Sequence, residues 1–402
     1  MKTVTIALIG SGFAAEFHAK AYSSVSGIEV KIKYVVNRNL DKARNLAVKW
    51  KIPYVTSSYA DVLRDPEVDV VDIVLPPSLH LTYARQAMEA GKHVVCEKPL
   101  TGYFGRSGDT EPIGVNVSKE AMYEALLREI TSARQWIQNS PKNFFYAENY
   151  LYAPGIMRMA DILRKKGSKI LYMKGECGIR GSTSPVAGHW SQTGGGALIR
   201  LGCHTIAGML WLKQQEASAR GEIVSVQSIS ADTGRISGTI SPHERRHLTA
   251  APMDVEEFAA VTITFSDGSK AVSLSSDSML GGIQNRIEVY TNDSAMQCNI
   301  TPSNNLQTYF LDQDRLEDVY ISEQLKEKTG WNQALVAEEV LRGYRDQFQD
   351  FVECIAYDRD PVSGIELASE TIRLVYAAYV SAEAGCRVSF DEKGRMLQIR
   401  QS

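Results

Sequence analysis

The residues best placed to do chemistry are Glu97, Lys98 and Pro99, which close the apolar run His93-Val-Val-Cys96. The chain itself opens on Thr3-Val-Thr-Ile-Ala-Leu-Ile-Gly10-Ser-Gly12-Phe-Ala-Ala15, the pattern of a buried parallel strand running into a tight turn that starts a helix. Such a turn lets backbone N–H groups approach a pyrophosphate at a helix N-terminus. In an open parallel sheet, ligands sit at the C-terminal ends of the strands. The turn and Lys98 therefore fall on one edge of one sheet, and Lys98 can reach the reactive end of whatever the turn holds. Gly10-x-Gly12-x-x-Ala15, read between a strand and a helix, predicts a dinucleotide site built from Gly10, Ser11, Gly12, Phe13 and Ala14.

At the end of the second strand, where an acidic residue would take the adenosine ribose hydroxyls, stand Asn37 and Arg38. Asn37 can still bond a ribose hydroxyl. No carboxylate repels a 2′-phosphate there, and Arg38 can pair with one or simply stack or face solvent. The expected cofactor is NAD or NADP. Leu75-Pro76-Pro77-Ser78-Leu79-His80 ends the strand before that of Lys98. Pro76 is expected to wall the nicotinamide pocket. His80 is read either as a ribose or substrate contact or as a helix-start residue. Glu97 and Lys98 complete the cofactor-binding set.

A second constellation is Gly194-Gly-Gly196-Ala-Leu-Ile-Arg200-Leu-Gly202-Cys-His204. Three glycines permit close backbone approach. The run after them reads as helical, which puts Arg200 and His204 at i and i+4 on one face. Both are expected to line a polar pocket, although a lone histidine on an apolar helix is commonly a core residue. Tyr150 and Tyr152, just before Pro154, are read as lining a sugar pocket or as interdomain packing. His243-Glu244-Arg-Arg-His247 formally matches HExxH. It lies between Pro242 and Pro252, too short for the long helix that fixes two histidine ligands. It is expected to be a polar loop, and no metal is expected.

The elements that must position these residues follow a clear rhythm. Strands at 3–9, 29–36, 53–55, 69–75 and 93–96 alternate with helices near 14–24, 40–50, 58–64 and 79–90. This βαβ pattern implies a parallel, right-handed, doubly wound sheet. Segment 101–118 breaks it, with many Gly, Ser and Thr and little apolar periodicity, and is expected to be a long loop. A helix at 119–139 and a strand at 143–148 complete the first domain, 1–148. After 168, strand-like runs at 169–177, 222–231, 257–265, 269–275, 285–291 and 295–300 predict a second domain, 149–402, on a largely antiparallel or mixed sheet. Helices are expected near 333–356 and 365–384. The alternating Val261, Ile263 and Phe265 suggest a sheet face that another subunit covers.

Bulk properties set limits. With 402 residues, two domains are the natural expectation. A formal charge of −3 offers no basic field for nucleic acid or anionic membrane. There is no apolar run long enough for a membrane span and no signal peptide before the first strand. Six scattered cysteines without CxxC spacing suggest reduced thiols in a cytoplasmic protein.

The combination resembles the glucose–fructose oxidoreductase / inositol dehydrogenase / rhizopine-catabolism (Gfo/Idh/MocA) family over nearly the whole chain. GSGFAAEFH, including His18, matches its G-x-G-x-x-x-x-x-H start, and Glu97-Lys98-Pro99 its E-K-P signature. Gly194–His204 is similar to its G-G-G-x-x-x-D-x-G-x-H segment, and Pro361-Val-Ser-Gly364 before a helix is also similar. The resemblance implies an α/β fold, an N-terminal Rossmann doubly wound parallel sheet followed by a C-terminal α/β domain with a large open, mostly antiparallel sheet, and NAD(P)-dependent oxidation or reduction of a carbinol on a sugar, cyclitol or glycoside. Lys98 and His204 are then the catalytic pair and contact the substrate, and Tyr152 and Arg200, read from the residues themselves, are expected to contact it too. It also implies a homo-oligomer, dimer or tetramer. Two family aspartates fall at Arg200 and Ala207 here, so an anionic or glycosidic substrate enters consideration. Competing classes are an NAD-dependent glycosidase working by transient oxidation and elimination, and a non-catalytic nucleotide-binding sensor.

Overall fold

A computed structural model describes residues 2–301, 306–317, 319–321 and 327–397. The first domain runs β1 (Thr3–Ile9), α1 (Phe13–Tyr22), β2 (Glu29–Val36), α2 (Leu40–Trp50), β3 (Tyr54–Thr56), α3 (Tyr59–Arg64), β4 (Val70–Ile73), α4 (His80–Glu89) and β5 (His93–Glu97). A short helical turn α5 (Ile113–Asn116), the long α6 (Lys119–Gln138) and β6 (Phe144–Ala147) follow. The six strands are parallel in the order 3-2-1-4-5-6. β1, β4, β5 and β6 carry near-continuous buried apolar runs because helices cover both faces. Local chemistry starts the helices where expected: Asn39, Ser58 and Ser118 each accept a backbone N–H of the first turn of α2, α3 and α6.

The second domain holds α7 (Pro154–Lys166), β7 (Ile170–Gly178), α8 (Trp190–Thr193), α9 (Cys203–Ala219), β8 (Val226–Gly234), β9 (Phe258–Phe265), β10 (Lys270–Ser276), β11 (Gln284–Thr291) and β12 (Ala295–Asn299). A hairpin of β13 (Gln307–Phe310) and β14 (Gly330–Gln333) precedes α10 (Glu338–Leu341), α11 (Tyr344–Tyr357), α12 (Ile365–Ala384) and β15 (Val388–Ser389). The main sheet is seven-stranded, order 12-11-7-10-9-8-15, antiparallel except between β7 and β10.

Three expectations change. Val261, Ile263 and Phe265 are buried, on the sheet face that α9 and α12 of the same chain cover. The outward face instead carries Tyr172, Val272 and the Lys174–Glu288 and Arg286–Glu176 ion pairs. The helix expected at 333–356 is two helices, broken at Gly343 (φ +87°), where an added Cβ would lie 2.2 Å from the Asn149 carbonyl oxygen. Finally, α11 packs back on α1 and β1, with Phe348 against the His18 ring at 4.6 Å. The 149–402 segment therefore also completes the core of the first domain. Segment 101–118 is irregular apart from α5, and it is pinned rather than loose. Tyr103 N donates to Tyr376 Oη, Gly114 N to Asp254 Oδ2 and Lys119 N to Glu383 Oε2.

Candidate active site

The glycine turn lies where β1 meets α1. Gly10 has φ +121°, and a Cβ on it would stand 2.6 Å from the Val74 carbonyl oxygen, so glycine is needed for the fold there. Gly12 differs: φ is −85° and nothing lies within 4 Å of an added Cβ. No side chain caps α1, whose first N–H groups have no helical partners of their own. Ser11 is braced by Asn37, whose Nδ2 donates to Ser11 Oγ at 2.6 Å, while Asn37 Oδ1 accepts from Asn39 N at 2.8 Å. Arg38 is exposed beside it.

Beneath the turn lies a buried relay. His18 sits between two carboxylates, with Nδ1 2.9 Å from Asp72 Oδ2 and Nε2 3.0 Å from Glu97 Oε1. Burial pushes the imidazole pKa down, but the charge and hydrogen bonds of Asp72 and Glu97 win and raise it to about 10. Burial likewise pushes the Glu97 carboxyl up, yet its bond to His18 and the charges of His18 and Lys98 hold it below its ordinary value. The second Glu97 oxygen accepts the Lys98 backbone N–H at 2.9 Å. The relay thus ties α1, β4 and β5 together at the point where Lys98 leaves the sheet.

A cleft of about 290 Å³ opens above these strand ends. Phe13, Ala14, Val74, Leu75, Glu97 and Lys98 form its first-domain side, and Tyr150, Cys177, Leu201, His204 and Asn285 face them from the second domain. Pro76 is exposed next to Leu75, just outside this lining. Lys98 Nζ donates to the Arg200 carbonyl oxygen at 3.1 Å. His204 stacks on the Tyr150 ring, with centroids 4.3 Å apart and planes at 12°. Its Nδ1 lies 2.6 Å from Glu148 Oε1. Burial lowers the His204 pKa below its ordinary value, and the neighbouring Glu148 only partly opposes this.

Three sequence expectations are corrected here. His80 is no ribose or substrate contact: it is fully buried, with Nδ1 2.9 Å from the Pro99 carbonyl oxygen and Nε2 2.8 Å from that of Leu75. It holds two strand ends together. Tyr152 is a core residue, packed on Phe351 and donating to Asp350 Oδ2 at 2.8 Å, and Tyr150 alone of the pair reaches the cleft. Arg200 points away from the cleft. Its guanidinium pairs with Asp277, and the segment Leu198–Gly202 that carries it is a π-helical turn. It lines a separate cavity of about 140 Å³ with Glu256 and Asp277. Only its backbone carbonyl serves the site, by holding Lys98.

The 194–196 glycines are also occupied by the protein itself. A Cβ on Gly196 would lie 1.7 Å from the Glu256 carbonyl oxygen, and one on Gly195 would lie 2.2 Å from Tyr379 Oη. Glu256 accepts from Gly196 N, Leu198 N and Tyr379 Oη, so an internal carboxylate fills this helix start. The HExxH segment is a single exposed 3₁₀ turn, Glu244–His247, in which Glu244 accepts from Ser241 N and Oγ.

Sequence reasoning missed Glu148, Asn285 and Arg342. A signal existed for Glu148, an acid directly after the apolar strand Phe144–Ala147, the same strand-end position that singled out Glu97. Asn285 and Arg342 carry no such mark, and only packing brings them to the cleft.

Comparison with known proteins decides the family. Residues 4–106 match the family described as "Oxidoreductase family, NAD-binding Rossmann fold", and residues 169–296 match the "GFO/IDH/MocA C-terminal domain". The chain belongs to the Gfo/Idh/MocA family. Its NAD-binding Rossmann domain is the one whose glycine turn is described above. Among its relatives, a levoglucosan dehydrogenase from Pseudarthrobacter phenanthrenivorans is 27% identical over 291 residues, covering 67% of this chain and 66% of that protein. An oxidoreductase of Rhizobium meliloti, ORF334, is 42% identical over 101 residues, 25% of this chain and 30% of that one. The chain thus spans less than two thirds of these curated relatives. In fold it is similar to GenD2 from gentamicin A biosynthesis in complex with NAD, with TM-score 0.75, 20% identity and 97% of both chains covered. It is likewise similar to myo-inositol 2-dehydrogenase from Lactobacillus plantarum, with TM-score 0.72, 19% identity, and 97% of this chain and 100% of that chain covered. No helix among the described residues is long and apolar enough to cross a membrane.

Proposed function

We propose that this Gfo/Idh/MocA protein is an NAD(P)-dependent oxidoreductase that transfers a hydride to or from the carbinol carbon of a sugar, cyclitol or glycoside. The observation that carries the reading is one cleft holding Lys98 and His204 beside a helix start left open at Gly12. The donor set fits a dinucleotide: uncapped N–H groups of α1 for the pyrophosphate, Ser11, Asn37 and Arg38 for the adenosine end, and Val74, Leu75, Pro76, Glu97 and Lys98 along the nicotinamide path. A bound nicotinamide supplies the hydride acceptor or donor. The substrate hydroxyl hydrogen-bonds the Lys98 ammonium, and its proton passes between the oxygen and the Lys98–His204 pair. The name of the levoglucosan dehydrogenase relative supports a carbohydrate substrate. Arg200, turned to Asp277, gives no support to an anionic one.

The test is to release and identify any bound nucleotide, then screen sugars, cyclitols, uronates and glycosides by nicotinamide absorbance. Lys98→Ala is expected to abolish hydride transfer while nucleotide binding persists. Turnover surviving in that variant would sink the assignment. Arg38→Ala is expected to weaken NADP more than NAD, and equal losses would remove the 2′-phosphate role. We further infer a homo-oligomer through the outward sheet face, where Tyr172 and Val272 are exposed. Light scattering at micromolar concentration tests it, and a monomer mass would reject it. All six cysteines are free thiols, as a reducing cytoplasm would keep them.

A further inference from the structure

Glu148 stands outside every role assigned so far, and its surroundings are unusual. It follows β6 directly, at the same sheet edge as Glu97 and Lys98. Its side chain is fully buried and does not line the cleft. Oε1 takes His204 Nδ1 at 2.6 Å and the Tyr150 backbone N–H at 3.3 Å. Among the described residues Oε2 has no hydrogen-bond partner. A buried carboxylate left half-satisfied costs stability, and so invites a reason other than packing.

We propose that Glu148 is the positioning residue that fixes the tautomer and orientation of His204. The proposal rests on the acid–base reading given above. A carboxylate accepts but cannot donate, so Nδ1 must carry the proton in the pair. Nε2 then has a lone pair. Tyr150, whose backbone N–H anchors to the same carboxylate, stacks on the imidazole and fixes its plane. His204 is therefore the proton acceptor of the cleft during oxidation: the O–H bond breaks, Nε2 takes the proton, and Glu148 stabilises the imidazolium that results. Lys98 Nζ donates a hydrogen bond to the substrate oxygen and holds it. In the reverse direction His204 returns the proton. Arg200 stands one turn before His204, and its pairing with Asp277 leaves the orienting carboxylate to come from the far domain. Cys203 Sγ lies within 4.8 Å of both partners, but burial pushes its thiol well up, so it stays protonated and neutral.

The test uses the full chain and three variants, Glu148→Gln, Glu148→Asp and His204→Gln. Glu148→Gln is isosteric, and its amide can donate to Nδ1 and push the proton to Nε2. In protein with 15N-labelled histidine, free of substrate, the His204 imidazole is expected to be Nδ1–H in the wild type and to lose that signature in Glu148→Gln. With the substrate found by the screen, kcat of Glu148→Gln should fall at least tenfold at neutral pH while nucleotide affinity is unchanged. Its acidic limb should move to lower pH, because the lost carboxylate no longer stabilises the imidazolium. Glu148→Asp should recover part of both. An unchanged imidazole signature and pH profile in Glu148→Gln, with His204→Gln inactive, overturns this inference alone. Full turnover in His204→Gln overturns the acid–base reading, and this inference with it.

Discussion

Two glycine runs in this molecule resemble each other in sequence and differ in purpose. At Gly10-Ser11-Gly12 one glycine is required by the Val74 carbonyl, but the space beside Gly12 is empty of protein. At Gly194–Gly196 the space is filled by the Glu256 backbone and the Tyr376 and Tyr379 hydroxyls. The first run leaves open space beside Gly12, the space the proposed dinucleotide would use. The second lets the protein approach itself, and its helix start is already neutralised by the Glu256 carboxylate. Glycine serves both runs, one beside open space and one against the protein's own backbone. Only the surroundings say which.

The sharpest break between the two is mutational. Gly196→Ala should be the most damaging, because its Cβ would meet a backbone carbonyl that cannot swing aside. A loss above about 3 kcal/mol is expected, read by chemical or thermal unfolding. A stable Gly196→Ala would show that the second run is not filled as described. Gly12→Val should do the reverse, leaving the unfolding midpoint nearly unchanged and weakening nucleotide binding by about 100-fold, or roughly 2.7 kcal/mol, by calorimetry. Intact affinity would remove the assignment of the turn.

The pH dependence of stability should separate the same two regions. Burial raises the Glu256 carboxyl from 4.5 to about 7, against the backbone N–H groups that favour its charge. Its folded pKa lies above the unfolded one, so its contribution is full below about pH 4.5 and is lost as pH rises through about 7. His18, raised from 6.5 to about 10, contributes fully below pH 6.5 and loses this as pH rises through about 10. Glu256→Gln should flatten the lower window and His18→Gln the upper one, measured as unfolding free energy against pH. An unchanged slope in either variant would reject that group's part. The smallest effect is expected from Arg200→Ala, about 1–3 kcal/mol of stability from the stranded Asp277 carboxylate, with kcat/KM held within about twofold. A rise in KM confined to anionic substrates would return Arg200 to the site.

Much of this was legible beforehand, for identifiable reasons. β2, α2 and α12 fall on the residues that periodicity indicates, because each is a single amphipathic or buried run with clear ends. The break at Gly343 was hidden, since the positive φ and the Asn149–Ala153 backbone packed against it, which require a glycine there, come from a distant part of the chain. Glu97, Lys98 and His204 were visible as chemistry-bearing residues at strand ends or after a turn. Tyr150 and Tyr152 could not be told apart, because two tyrosines two residues apart differ only in what their hydroxyls meet, Cys177 or Asp350.

By itself the sequence determined the parallel first sheet, the position of the glycine turn, the strand end that carries Lys98 and the family. These depend on local periodicity, turn chemistry and short motifs, which act over a few residues. The tertiary structure alone decided that Arg200 faces Asp277, that His80 is a staple, that Glu256 occupies the second glycine run and that Glu148 holds His204. Each depends on a pairing between residues 19 to 77 positions apart in the chain (for His80, the one to Pro99), settled by which buried polar groups can find partners.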